Sequence, residues 1–243
     1  MGLLDHLEEL RHRLMRAVIA LFAGFLLCWP LADRIYEFLA QPIYRFLPED
    51  TKLAFLGVTD PFMIYVKVAA LAAVFLTSPY ILYQAWSFVA PGLYKREKRL
   101  AAPFIFVGSL LFLAGGAFAY YIAFPFAVEF LLGVGEQFQP TITVTSYLSF
   151  LMTVILGLGL MFELPTVIFF LSRLGLVTPA FLLRHFRWAV LLIFTASAII
   201  TPTPDVVNLC LFAVPTILLY LLGIGAAALF GPGDRGEKIE GSA

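Results

Sequence analysis

Six apolar runs, with nearly all the charge gathered between them, constrain this chain more than any other feature. Five run approximately from Leu14 to Ala32, Pro61 to Gln84, Leu100 to Phe124, Tyr147 to Leu171 and Val206 to Phe230, and each has 19 to 25 residues. The remaining run, Trp188 to Ile200, has 13. About 20 apolar residues carry a helix across a hydrocarbon core of roughly 30 Å. Inside lipid the backbone must satisfy its own polar groups, which favours helices. A chain that is 61% hydrophobic and 13% charged, with mean hydropathy +0.93, lies far from soluble domains. The pattern predicts an all-α integral membrane protein with six transmembrane helices, one domain over residues 1–230. The polar, Gly-rich stretch 231–243 reads as a disordered cytoplasmic tail.

The cations set the orientation, because Lys and Arg are retained in the cytoplasm while acids orient little. Twelve of the 16 Lys and Arg fall in the N-terminal stretch, the second and fourth connections and the tail. The other three connections hold only Arg34, Arg45 and Lys52, and Lys67 lies inside the second run. Both termini are therefore expected in the cytoplasm. The run after Arg16 is too long, and Cys28-Trp29-Pro30 too bulky, for a cleavable signal peptide, so the first span is expected to stay as an anchor. Cys28 and Cys210, without CxxC spacing, read as packing residues.

Residues 3 to 16 read as an amphipathic surface helix, since Leu3, Leu7, Leu10 and Leu14 share one face and Asp5, Glu9, His12, Arg13 and Arg16 another. The first external connection carries Ile35, Phe38, Leu39, Ile43 and Phe46 at helical spacing, a short cap expected to break at Pro42 and Pro48. The third, Pro125 to Ser146, reads as a helix extension followed by an ordered loop. At about 1.5 Å per residue the fifth run spans roughly 20 Å, and Thr201-Pro-Thr-Pro204 forbids further regular helix. A short fifth span is expected, either in a locally thinned bilayer or sheltered by its neighbours. The sixth run shares the same turn, which leaves its effective length open. No internal repeat is visible.

Few residues stand out chemically. Glu163, in Gly157-Leu-Gly-Leu-Met-Phe-Glu-Leu-Pro165, is a carboxylate inside an apolar run, which points to function or to a neutral, hydrogen-bonded acid joining helices. Lys67 is the lone cation within a run, placed to snorkel or to pair with Glu163 or another acid. At the cationic edge, Glu9, Glu97 and, less strongly, Glu8 are acids among Arg and Lys. They suit an arginine ligand, whose planar guanidinium bonds both carboxylate oxygens. Local pairing accounts for them as well: Glu9 with Arg13 at i, i+4, and Glu97 with flanking cations. Trp86, Phe88 and Tyr94 read as an interfacial aromatic belt. His6, His12 and His185 are scattered, and no triad, metal cluster, phosphate loop or nucleic-acid module is present, so no enzyme, cofactor or nucleic-acid reading follows.

Several motifs together resemble the TatC family, the multi-spanning subunit of the twin-arginine protein translocase. They are His6-Leu-Glu-Glu-Leu-Arg-His-Arg13, Thr59-Asp-Pro-Phe-Met-Ile-Tyr-Val-Lys67, Ser78-Pro-Tyr-Ile-Leu-Tyr-Gln-Ala-Trp-Ser-Phe88, Ala90-Pro-Gly-Leu-Tyr-Lys-Arg-Glu-Lys-Arg99, Phe162-Glu-Leu-Pro165 and Thr203-Pro-Asp205. The resemblance implies a receptor that binds twin-arginine signal peptides of folded precursors at its cytoplasmic face. It implies export driven by protonmotive force with single-span TatA- and TatB-type subunits, in an oligomeric complex of a bacterial or archaeal inner membrane. Glu9 and Glu97 match positions implicated in contacting the arginine pair, and Arg11 and Phe88 match others needed at that surface. Glu163 matches the family's intramembrane acid and Asp205 an acid of the last external turn. The family's Ser-Gln after that turn is Asn208-Leu209 here, and the turn is one residue longer. The competing reading is a proton-coupled small-solute transporter using Lys67 and Glu163. A passive scaffold for single-span helices is the third.

Overall fold

The computed structural model describes residues 3–47, 53–89, 98–135, 137–138, 141–201, 203 and 205–230. Glu97, with Pro91, Tyr94, Lys95 and Arg96, lies outside the described residues, as do Pro48 and the stretch 231–243. Among the described residues five helical runs are long and apolar enough to cross a membrane, and Phe186–Ile200 is a shorter apolar helix.

Helix α1 (Leu3–Cys28) is one unbroken helix of 26 residues. The surface helix read over residues 3 to 16 is thus the first half of the same rod that crosses, with no turn at Arg16. No Pro occurs within it and its only Gly is Gly24, so nothing in the backbone interrupts it. At roughly 39 Å it exceeds the hydrocarbon core by about two turns, which carries Glu8 and Glu9 beyond the apolar zone.

A 3₁₀ turn over Trp29–Leu31 leads into α2 (Ala32–Tyr44), the expected cap. It does not break at Pro42, which lies buried inside the helix. Proline has no N–H to give the carbonyl four residues back, here that of Phe38. The hydroxyl of Tyr120 donates to that carbonyl instead, at 2.5 Å, and Tyr147 donates to the next, Leu39, at 2.5 Å. Two tyrosines from elsewhere in the bundle thus hold α2 by its backbone.

Helix α3 (Asp60–Val89) returns alongside α1. Then α4 (Lys98–Phe118), a π turn (Ala119–Ala123) and α5 (Phe124–Val134) form one continuous helical run, the expected extension of the third span. The β-branched stretch after it makes a single parallel bridge, Thr143 with Ala54. Thr143 then caps α6 (Val144–Met161), its Oγ1 accepting from Ser146 N at 3.2 Å.

The fourth span is two helices, α6 and α7 (Leu164–Arg173), because Pro165 in the first turn of α7 cannot donate back into α6. Helix α7 closes on Gly175 at φ 72°, with Leu176 N bonding Leu171 O and Gly175 N bonding Ser172 O at 3.0 Å each. That is a Schellman closure, which needs a residue free of the left-handed penalty. Short α8 (Pro179–Arg184) precedes α9 (Phe186–Ile200), which has 15 residues, and α10 (Val206–Phe230), which has 25. The fifth span is short as expected, and the sixth is full length.

Helix α6 is the centre of the bundle. Its Leu148, Leu151, Val154 and Leu158 are fully buried against Val68, Phe124 and Phe212. Small residues let its neighbours close in, as lipid-embedded packing requires. A Cβ at Gly115 of α4 would stand 2.8 Å from the Leu158 carbonyl oxygen, and one at Gly157 would stand 2.2 Å from Ile200 of α9.

Candidate functional site

The two faces of the bundle carry different candidates. On the face bearing the start of α1, His6 stacks on Phe88 with ring centroids 4.3 Å apart. This contact fixes the beginning of α1 to the end of α3 and brings two separate motifs together. Glu9 lies one turn further along α1. Its Oε1 accepts both Nε (3.0 Å) and Nη2 (2.6 Å) of Arg13, so the i, i+4 pairing allowed by spacing is formed. Both side chains are partly exposed, at 23% for Glu9 and 22% for Arg13. Because both bonds fall on one oxygen, Oε2 stays open to a second guanidinium. Glu8 and Arg11 are exposed on the same turns, and His12 Nδ1 contacts the Glu8 carbonyl at 2.9 Å. Glu97, the other acid expected here, lies outside the described residues, which resume at Lys98, the start of α4.

The aromatic belt is differently made. Trp86 stacks on the buried Phe170 of α7, centroids 4.0 Å apart and planes 17° off parallel, so it packs between helices. Arg173 lies over the Phe169 ring at 5.5 Å. One residue that sequence reasoning passed over is Gln84, which is 4% exposed with Oε1 lacking a hydrogen-bond partner. Its signal in the sequence was weak: a primary amide at the end of the second apolar run, two residues before Trp86.

Glu163 occupies the joint between α6 and α7, 6% exposed, with neither carboxylate oxygen hydrogen-bonded. Gly108 of α4 backs onto it, since a Cβ there would stand 3.0 Å from Oε2, and Thr166 lies beside both. The expected alternative partner, Lys67, is elsewhere: its Nζ donates to Ser149 Oγ at 3.5 Å. Ser149 lies near the start of α6, 14 residues before Glu163, which is roughly 21 Å along that span. Helix geometry separates the pair that the transporter reading needs. Among the described residues no group of His, Cys, Asp and Glu could hold a metal.

Asp205 precedes α10 and caps it. Its Oδ1 accepts Asn208 N at 2.7 Å, its Oδ2 accepts Asn208 Nδ2 at 2.9 Å, and that amide also reaches Thr203 Oγ1 at 3.3 Å. Partial burial works against the charged carboxylate, but these bonds outweigh it and hold the acid below its usual range. Asn208, where the family pattern has another residue, therefore supplies the polar contact itself.

The sequence profile of the Sec-independent protein translocase protein (TatC) matches residues 5–215. The chain belongs to the TatC family. It is 47% identical to the Sec-independent protein translocase protein TatC of Koribacter versatilis (strain Ellin345), over 99% of this chain and 90% of that one. With the TatC of Helicobacter pylori (strain J99) it shares 41% identity over 96% of this chain and 91% of the other. A crystal structure of the twin arginine translocase receptor TatC superposes with a TM-score of 0.80 at 37% identity, covering 92% of this chain and 98% of that one. A second, obtained in DDM, gives 0.82 at 36% identity over 91% and 99%. The chain is thus a multi-pass member of a protein translocase family across nearly its whole length.

Proposed function

We propose that the protein is the receptor and core subunit of a twin-arginine translocase. The observation that carries this is its full-length likeness to solved TatC receptors, and the acid-bearing first turns of α1 give the reading a physical basis. Twin-arginine signal peptides of folded precursors bind at the α1–α3 face, which is cytoplasmic, with both chain termini on that side of a bacterial or archaeal inner membrane. The cation bias of the connections supports this orientation.

Selectivity follows from attraction and repulsion together. Glu9 offers a guanidinium its open Oε2 and Glu97 offers a carboxylate, while Arg11, Arg13 and the cations around Glu97 repel unpaired cations. Phe88 holds α1 in place through His6. Glu163 receives a polar group from a single-span TatA- or TatB-type helix in an oligomeric assembly, and protonmotive force drives transport with no catalytic step in this chain. A buried carboxylate with neither oxygen hydrogen-bonded supports that role, since the neighbouring Thr166 hydroxyl is a single donor and leaves acceptor capacity for a partner's polar group.

Affinity of an Arg-Arg peptide for the membrane-embedded protein tests the reading. Glu9→Ala and Glu97→Ala are expected to lower it at least tenfold, each leaving thermal unfolding unchanged. If both variants bind like the parent, the site assignment fails. Photocrosslinkers at positions 97 and 163 are expected to capture the peptide from the first and a single-span subunit from the second.

A further inference from the structure

The cap helix α2 carries a charge pattern that its packing does not use. Of the three cations in the cation-poor connections, two stand on it: Arg34 near its start and Arg45, its C-cap, which keeps helical backbone angles. Eleven residues apart, they fall within about 20° of one line on a 3.6-residue helix. Both are exposed, and among the described residues neither forms an ion pair. Asp33 and Glu37 lie roughly 60–100° round to one side of that line, toward Tyr65 of α3, whose hydroxyl donates to Asp33 Oδ1 at 3.1 Å. Phe38, Ile35 and Leu39 lie roughly 40–140° round to the other side. The charge on α2 is thus sorted by face.

Those three apolar residues roof a groove of about 260 Å³ between α3 and α4, walled by Ala72, Phe75, Leu113 and Ala117. At its outer end the π turn presents two consecutive rings, Tyr120 and Tyr121, a kind of turn that recurs at functional sites. Phe38 stacks on Tyr120 with centroids 4.6 Å apart, and Arg45 lies close enough for its charge to act on the Tyr120 hydroxyl. Leu113, Ala117 and Tyr121 are exposed, so the groove opens sideways. Phe75 is half-way along the 30-residue α3, so the groove runs from the cap to about the middle of the bilayer, the depth of one leaflet.

We propose that this groove binds an anionic phospholipid of the leaflet on the α2 side, with one acyl chain along Phe75 and Ala117 and the phosphate on the Arg34–Arg45 face. A helix roughly 10–12 Å across is too wide for the space, whereas a single hydrocarbon chain fits it. Packed interiors hold few voids larger than a water, so a sideways opening of this size in lipid fills with chain. Arginine forks match phosphate oxygens, and a headgroup without an ammonium keeps its attraction to both guanidinium groups. Cations that set orientation belong on the opposite side of the membrane, so topology does not account for these two. The leaflet follows from the orientation proposed above; the site follows from the groove and the sorted charge.

The test places the full chain in phosphatidylcholine nanodiscs doped with phosphatidylglycerol or phosphatidylcholine that carries a photoreactive acyl chain, and maps the labelled peptides. In the groove segments of α3 and α4 the parent is expected to be labelled about tenfold more by the phosphatidylglycerol probe. Arg34→Gln/Arg45→Gln is expected to bring that ratio to about one, and Ala117→Trp, which fills the groove from its open side, to reduce labelling there by both probes several-fold. Equal labelling by the two probes in the parent, or a preference that survives loss of both arginines, overturns the proposal. So does groove labelling of Ala117→Trp at the parent level, since no chain then occupies the space. Millimolar inorganic phosphate is expected to leave the preference intact; its loss would mark a site for free anions and overturn the lipid assignment. Unchanged unfolding midpoints show that the variants fold, and Ala72→Leu, which narrows the groove from α3, gives the same reading if Ala117→Trp does not.

Discussion

Asp205 caps α10 through a few short bonds, and its removal has a calculable cost. Replacing a helix-capping Asp by Ala costs about 1 kcal/mol, so Asp205→Ala is expected to lower the unfolding midpoint by a few degrees in detergent, while Asp205→Asn loses less. Because the folded acid sits below its usual range, the stability it adds is complete above the unfolded carboxylate range, near pH 4, and is lost as pH falls through the lower folded value. A melting series from pH 7 to pH 3 is expected to show the parent and Asp205→Ala converging at the acid end; parallel curves would refute the assignment. At this scale the sequence revealed residue types and left partners open. The Glu9–Arg13 pair followed from i, i+4 spacing, whereas the stacking of His6 on Phe88 joins positions 82 apart and depends on how α1 and α3 pack. Gln84 was missed because its significance lies in burial without a partner, which no spacing reveals.

Among the elements, α2 makes the sharpest claim, since Pro42 removes one internal bond and Tyr120 replaces it. Tyr120→Phe is expected to destabilise the protein by about 1 kcal/mol. In a Pro42→Ala background, where residue 42 regains an N–H for the Phe38 carbonyl, the same substitution is expected to cost measurably less. A double-mutant cycle by thermal unfolding reads that coupling, and strict additivity would sink it. Helix α4 offers a second case: Gly115→Ala drives a methyl into the Leu158 backbone oxygen, which cannot step aside, and is expected to cost about 1–3 kcal/mol in the same assay. The runs, their order and the short fifth helix were legible as apolar length between breakers. The break at Pro42 was not borne out, since the proline sits in the last turn where only one internal bond is forfeited and a tyrosine restores it. Helix α1 likewise runs straight through Arg16, because amphipathicity marks a boundary in environment and the backbone has none there.

Across the whole molecule, α9 sets an unusual dimension. Its 15 residues span roughly 22 Å against roughly 37 Å for α10. Depth-dependent quenching of probes at positions 188 and 200 is expected to place both near the headgroups, with the bilayer thinner there than around α10. Equal thickness on the two sides would show that neighbouring helices shelter α9 instead. Architecture was the most legible level, because apolar length and charge placement act independently of detailed packing; the separation of Lys67 from Glu163 became visible only with the helices assembled. The tyrosine clasps on α2 also impose a timetable. Their acceptors, Phe38 and Leu39, precede their donors by 82 and 108 residues. On a ribosome adding roughly 5–20 residues per second, the cap waits several seconds or more for its fastenings. An early-made part of this protein thus sets only after more than half of the chain has emerged.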